Sequence, residues 1–179
     1  MTNTPAWYQR SLRWGQLNLT EIDPQRIDLK WWRGYWRRTR IQGVIVNAGG
    51  IVAYYPSLLP QHRAQGLGER DLLGEICAMA REENLSVVAR LDSNRVREPF
   101  YQLHPDWCCV DSKGAPLRVG EFYLTCVHGP YYQEYIPAVL REIIDLVKPD
   151  GFADNSWSGL GRDTICYCEN CQKKIRKPA

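Results

Sequence analysis

The 179-residue chain has room for one domain with a real core and too little for two of ordinary size. A formal net charge of +3 with 24% charged residues calls for neither nucleic acid nor anionic lipid, and no apolar run reaches the roughly 18 residues of a membrane span. Seven cysteines is an odd number, and Met1 to Ala6 lack the charged and apolar segments of a secretory signal. A disulfide framework is therefore disfavoured, and a reduced, cytoplasmic setting is expected. Seven Trp and ten Tyr suit sugar-stacking surfaces, although each ring taken singly also suits ordinary core packing.

Leu12 to Leu19 alternate apolar with polar from Leu17 onward and predict a first strand. Asp23-Pro24 supplies an N-cap carboxylate and a proline suited to the first helical position. Ile27, Trp31, Trp32, Tyr35 and Trp36 then recur at helical spacing, which predicts a basic amphipathic helix over about Pro24 to Arg38. Gly43 to Gly50 is a β-branched run closed by glycines, the pattern of a strand buried on both faces. Leu72, Leu73, Ile76, Cys77 and Ala80 fit a second helix, and Ser86 to Asp92 a third strand that ends in a carboxylate.

Ser93 to Gly129 reads as a functional loop or an inserted hairpin, with a turn at Asp111 to Gly114 and an extended Phe122 to Cys126. Tyr132, Ile136, Val139, Leu140, Ile143 and Val147 place one stripe on a third helix from about Tyr131 to Val147. Asp150 to Asn155 make a fourth strand, and a fourth helix is expected over Asn170 to Lys177. The β-α alternation favours a parallel sheet with crossover helices. Four βα units are half of a (β/α)8 TIM barrel, which needs about 250 residues, so residues 1–179 are expected to form a single truncated half-barrel or a smaller open sheet.

Carboxylates at strand ends meet substrate in such folds, which makes Asp154 a candidate nucleophile or base in glycosyl transfer, or else a capping or loop-bracing residue. Arg90 and Asp92, two apart on one strand face, form a substrate clamp or a structural ion pair, and Asn47 ends the preceding strand. His104 and His128 lie in predicted loops, where an imidazole can bond a hydroxyl or shuttle a proton. Trp107 and Trp157 could stack on pyranose faces, and Asn155 follows the catalytic candidate. Cys166, Cys168 and Cys171 put three thiols within six residues, enough to grip one Zn²⁺ with a fourth ligand. Cys126 is the expected fourth, with Cys108 and Cys109 as rivals. The aromatic and basic Trp31 to Arg40, with the Lys173 to Lys177 tail, gives a zinc-assisted nucleic-acid binder as a weaker reading, because its apolar positions better fit a buried helix stripe.

Asn47 to Pro56 (Asn-Ala-Gly-Gly-Ile-Val-Ala-Tyr-Tyr-Pro), Ala89-Arg-Leu-Asp92, His104-Pro-Asp-Trp107 and Asp150-Gly-Phe-Ala-Asp-Asn155 resemble the hypothetical glycosyl hydrolase family (family-6 type), related to α-L-fucosidases and family-42 β-galactosidases. The resemblance covers nearly the whole chain and the front half of a catalytic barrel. It implies a (β/α)8 fold acting on glycosides, a carbohydrate substrate, and a homo-oligomer in the full-length protein. Asp154 matches the place of the fucosidase nucleophile at the end of strand four. Family-42 β-galactosidases carry Asp-Asn-Glu there; Asp154 and Asn155 match, whereas Ser156 stands where the general acid would be. Those β-galactosidases also hold a structural zinc by a Cys-x-Cys-x-x-Cys cluster and an earlier Cys, positions matched by Cys166, Cys168, Cys171 and Cys126. The expectation is a retaining glycoside hydrolase-like chain with Asp154 as nucleophile and its general acid beyond residue 179, or a non-catalytic carbohydrate-binding protein on the same scaffold.

Overall fold

The structure is a computed structural model and describes residues 6–155 and 160–175. A helical turn, α1 (Trp7–Arg10), leads into the first strand, β1 (Trp14–Leu17), shorter than its alternation suggests. The helix expected from Pro24 begins later. The Asp23 carboxylate accepts from the Thr20 N–H at 2.6 Å and from the Arg26 side chain at 2.8 Å, so it closes a turn, and Asp23–Gln25 forms only a 3₁₀ turn. Asp28 is the true cap: its carboxylate accepts from Trp31 N at 2.9 Å and starts α2 (Leu29–Thr39). A left-handed Arg40 ends that helix.

β2 (Gly43–Gly50), α3 (Leu72–Glu82) and β3 (Ser86–Asp92) follow as predicted from their apolar patterns. Leu72, Leu73, Ile76, Cys77 and Ala80 on α3 have no exposure, and each large apolar side chain so buried contributes about 1.5–3 kcal/mol relative to an exposed one. Val139, Ile143 and Val147 bury one stripe of α5 (Ile136–Val147), which is entered through a π-helical turn at Tyr131–Tyr135. β7 (Gly151–Asp154) and α6 (Glu169–Ile175) complete the described chain. The order β1-β2-β3-β7 is a four-stranded, wholly parallel sheet, the arrangement that crossover helices produce.

The segment after β3 is richer than a loop with one hairpin. It holds β4 (Arg95–Val96), α4 (Glu98–Leu103), a 3₁₀ turn at Pro105–Trp107, β5 (Arg118–Val119) and β6 (Phe122–Leu124), the strands forming a second, antiparallel sheet in the order β4-β6-β5.

Register assigns the two faces of the parallel sheet. Val44, Val46, Val87, Ala89 and Leu91 point to the helix-covered face and are almost wholly buried. Gly49, paired with Leu91, lies so close to α5 that an added Cβ would sit 3.3 Å from Val139. The other face carries Ile45, Asn47, Val88 and Arg90. Trp14 lies over Gly43 there, and Trp7 packs edge-on to Trp14 and within reach of Gly151. Gly50 ends β2 at φ +101°, where a Cβ would fall 2.2 Å from the Asp92 carbonyl oxygen, so only glycine fits.

Candidate active site and thiol cluster

Polar side chains on the second face gather at the carboxyl ends of β1, β2 and β3. Asn47 is buried; its amide oxygen accepts from Leu19 N at 3.0 Å and its Nδ2 donates to Asp92 at 3.3 Å. The Arg90 guanidinium, 9% exposed, donates to Asp92 at 3.1 Å and also to Asn18. Asp92 is thus held by two side chains and keeps partial exposure at the mouth of a cleft of about 190 Å³ lined by Leu19, Glu21, Asn47, Ile51, Tyr54 and Asp92 among others. Burial, then the charges of Asp23, Glu21 and Asp92, push the Tyr54 phenol well above its ordinary range, and its hydroxyl donates to Leu19 O at 2.8 Å. Asp92 and Asn47 line the cleft, with Arg90 and Asn18 behind them, and a carboxylate and an amide on a small cleft suit a ligand rich in hydroxyls.

Asp154 stands apart from this group. It pairs in register with Leu91, so its side chain leaves the sheet on the helix-covered side, where it accepts a hydrogen bond from the fully buried Ser93. Asn155 follows it with its N–H donated to Leu91 O at 3.0 Å, and Trp157 lies outside the described residues. His104 stacks on Trp107 with ring centroids 4.0 Å apart, and both pack on Phe100. His128 is exposed and borders the thiol cluster.

Cys126 follows β6, and Cys166, Cys168 and Cys171 flank the start of α6. Their four sulfur atoms all lie within 4.8 Å of one another, with Cys126 Sγ 3.4 Å from Cys168 Sγ and 3.5 Å from Cys171 Sγ. Tetrahedral zinc with bonds near 2.3 Å needs sulfur separations of about 3.8 Å, so the four residues fit such an ion. Cys108 belongs to the main core instead. Cys109 packs beside the four as a fifth thiol and donates to Thr125 O at 3.4 Å. The Cys126 thiol is pulled below its ordinary range, first by the Cys109 thiol and further, against the opposing effect of burial, by the His128 backbone, Cys168 and Cys171, which favours a thiolate at the centre of the group.

Sequence reasoning missed several polar residues of the loops. Glu21 takes hydrogen bonds from Arg97 and, at 3.1 Å, from His62; Arg97 also holds Glu121 at 2.9 Å. Glu142 of α5 takes four donors from the loop after β2. The one signal for it was a carboxylate on the same helix stripe as Val139 and Ile143. Two of the four arginines in the basic stretch Trp31 to Arg40 are paired with carboxylates, Arg33 with Glu82 and Glu83 and Arg37 with Glu83. Among the described residues no helix is long and apolar enough to cross a membrane.

The fold resembles sugar-processing enzymes. An α-L-fucosidase (isoenzyme 2) from Paenibacillus thiaminolyticus superposes with a TM-score of 0.70 at 20% identity over 91% of this chain, and the chain spans 25% of that enzyme's length. A hypothetical protein from Ruminiclostridium thermocellum gives 0.60 at 13% identity, covering 80% of this chain and 75% of that one. An α-galactosidase from Lactobacillus brevis gives 0.56 at 11% identity, covering 80% and 20%. At these identities the likeness shows the fold alone. No curated protein matches the sequence. The model of the family described as hypothetical glycosyl hydrolase 6 matches residues 34–156, which is most of the chain and includes β2, β3 and β7, and the chain belongs to that family.

Proposed function

We propose that the chain forms one half of a glycoside hydrolase barrel and binds a sugar at the carboxyl ends of its parallel strands. The observation that carries this is the Asn47–Asp92–Arg90–Asn18 group beside the 190 Å³ cleft, on the edge of the sheet where enzymes of this architecture work. Asp92 and the Asn18 amide oxygen accept while Arg90 and the Asn47 amide donate, which suits the mixed character of sugar hydroxyls. Asp154, ending the neighbouring strand, acts as nucleophile of a retaining reaction, with its general acid about 5–5.5 Å away on a segment that completes the barrel. Zinc bound by Cys126, Cys166, Cys168 and Cys171 would be a closed structural ion that fastens α6 to the inserted sheet.

A polypeptide carrying this chain with a complete barrel is expected to hydrolyse aryl glycosides with retention, and Asp154→Gly to abolish turnover until azide is added. Azide would then yield a glycosyl azide of inverted configuration. Turnover that survives Asp154→Gly overturns the nucleophile assignment. The placement of Asp154 on the Leu91 side of the sheet favours a second reading, a sugar-binding chain without turnover. In that case Asp92→Asn weakens sugar binding, Asp154→Asn leaves it unchanged, and no variant hydrolyses anything.

A further inference from the structure

A second, larger cleft of about 240 Å³ opens next to the first, between the loop after β2 and the inserted segment. Its walls include Ile51, Pro60, Val96, Pro99, Phe100 and Leu103. Ile51 lines both clefts, and the Glu21–His62 pair stands between them, Glu21 on the first and His62 on the second. The two spaces are therefore neighbours on the carboxyl side of the sheet.

The polar side chains of the second cleft already have partners. Gln61 Oε1 accepts from Gly50 N, and its Nε2 donates to Tyr55 and Ser57. His62 is engaged by Glu21, Arg63 donates to Ser57 O at 2.8 Å, and Arg97 spans Glu21 and Glu121. Among the described residues the exceptions are Arg97 Nε, a buried donor without a partner, and the hydroxyl of Tyr135. A pyranose moved into this cleft would give up water at several hydroxyls and find few replacements, at a cost for each unpaired group. An aromatic or aliphatic ring would lose nothing by the same move and would gain from burial of its apolar surface.

We propose that the second cleft is the subsite for the aglycone of the glycoside and takes an aromatic or apolar group, while the Asp92 cleft takes the sugar. The inference rests on the glycoside reading above. It assigns the β4-to-α4 insertion a role in specificity: the insertion supplies Val96, Pro99, Phe100 and Leu103, whereas the sugar cleft draws on the strand ends and the loops after β1 and β2.

The test is calorimetric titration of the full chain with paired methyl and 4-nitrophenyl glycosides of a pyranose panel, and with the matching methyl disaccharides. The 4-nitrophenyl glycoside of the sugar that binds should bind about tenfold tighter than its methyl counterpart. Leu103 is 65% exposed, so Leu103→Asp leaves the core intact; it should bring that ratio close to one while the methyl glycoside binds as before. An aryl group that adds nothing, a ratio unchanged by Leu103→Asp, or a second sugar that adds as much as the aryl group overturns the aglycone assignment with the sugar reading intact. A chain that binds no glycoside while 4-nitrophenol alone shifts the Ile51 and Leu103 methyl resonances overturns both, and makes the cleft a site for free aromatic ligands.

Discussion

Glu142 is the residue whose loss should reach furthest. Its carboxylate accepts from Ser57 Oγ at 2.6 Å, Leu58 N at 2.7 Å, Tyr55 Oη at 2.8 Å and Gln61 Nε2 at 3.4 Å, and Gln61 in turn accepts from Gly50 N at the end of β2. Burial, and next the bond to Glu142, hold the Tyr55 phenol well above its ordinary range, so it remains a donor at every working pH. Leu58 is 94% exposed and its N–H can return to water. Tyr55 and Ser57 are 1% and 2% exposed and cannot. Glu142→Ala therefore strands two buried donors at about 1–3 kcal/mol each, a total of about 3 kcal/mol. Glu142→Gln keeps an acceptor in place and should cost about 1 kcal/mol. With a urea slope near 2 kcal/mol/M, the Ala variant should lower the unfolding midpoint by about 1.5 M, and the Gly50 amide should exchange faster. A midpoint within about 0.3 M of the parent's, or equal losses for Ala and Gln, would refute the claim that these hydrogen bonds fasten the loop.

Three further outcomes follow from the same structure. Asp28→Ala removes the α2 cap bond to Trp31 N and should cost about 1 kcal/mol in urea unfolding, whereas Asp23→Ala should leave the helical circular dichroism of α2 intact. The Glu83 carboxylate is held down to about 2 by hydrogen bonds from Arg37 and then Arg33, so its folded pKa lies below the ordinary 4.5. Its contribution is complete above pH 4.5 and is lost as pH falls toward 2; Glu83→Gln should flatten the acid limb of urea midpoint against pH in that window, and an unchanged limb would count against the α2–α3 bridge. Anaerobically purified protein should carry about one zinc per chain by elemental analysis, and the Cys166→Ser, Cys168→Ser double variant should carry none and melt at lower temperature.

Much of the scaffold was legible because single elements declare themselves. β2 and β3 are buried on both faces over most of their length, which leaves an uninterrupted apolar run in the sequence. The Cys-x-Cys-x-x-Cys spacing likewise brings three thiols together through local geometry, and the partner Cys126 was expected from outside it. Cys109 was harder to place, since backbone pairings carry it to the cluster: its N–H with Leu124 O at 2.8 Å and its carbonyl with Leu117 N at 2.8 Å. The inserted sheet was partly hidden because strands of two or three residues have no measurable period, and α2 was misplaced because Asp23-Pro24 looks like a helix start when the Asp23 carboxylate is already spent on a turn.

What the sequence could not decide was the side of the sheet on which a strand-end carboxylate emerges. In Gly-Phe-Ala-Asp-Asn, one residue of phase moves Asp154 from one face to the other. That phase is set by contacts remote in sequence: β7 pairs Gly151 with Val88 and Ala153 with Arg90, and Trp7 occupies the space beside Gly151, where an added Cβ would sit a tight 3.2 Å from its ring. Those two constraints put Gly151 and Ala153 on the Asp92 side and leave Phe152 and Asp154 opposite. The polar group proposed to take a sugar is accordingly built from β1, β2 and β3, with the proposed nucleophile one step out of phase beside Ser93. A bulge inserted between Ala153 and Asp154, of the kind β2 already carries between Asn47 and Gly49, would turn the carboxylate to the Asp92 side. Nucleophilic chemistry at Asp154 therefore requires a local shift of this edge strand, and the register of β7 with sugar bound is the observation on which the catalytic and the binding readings divide.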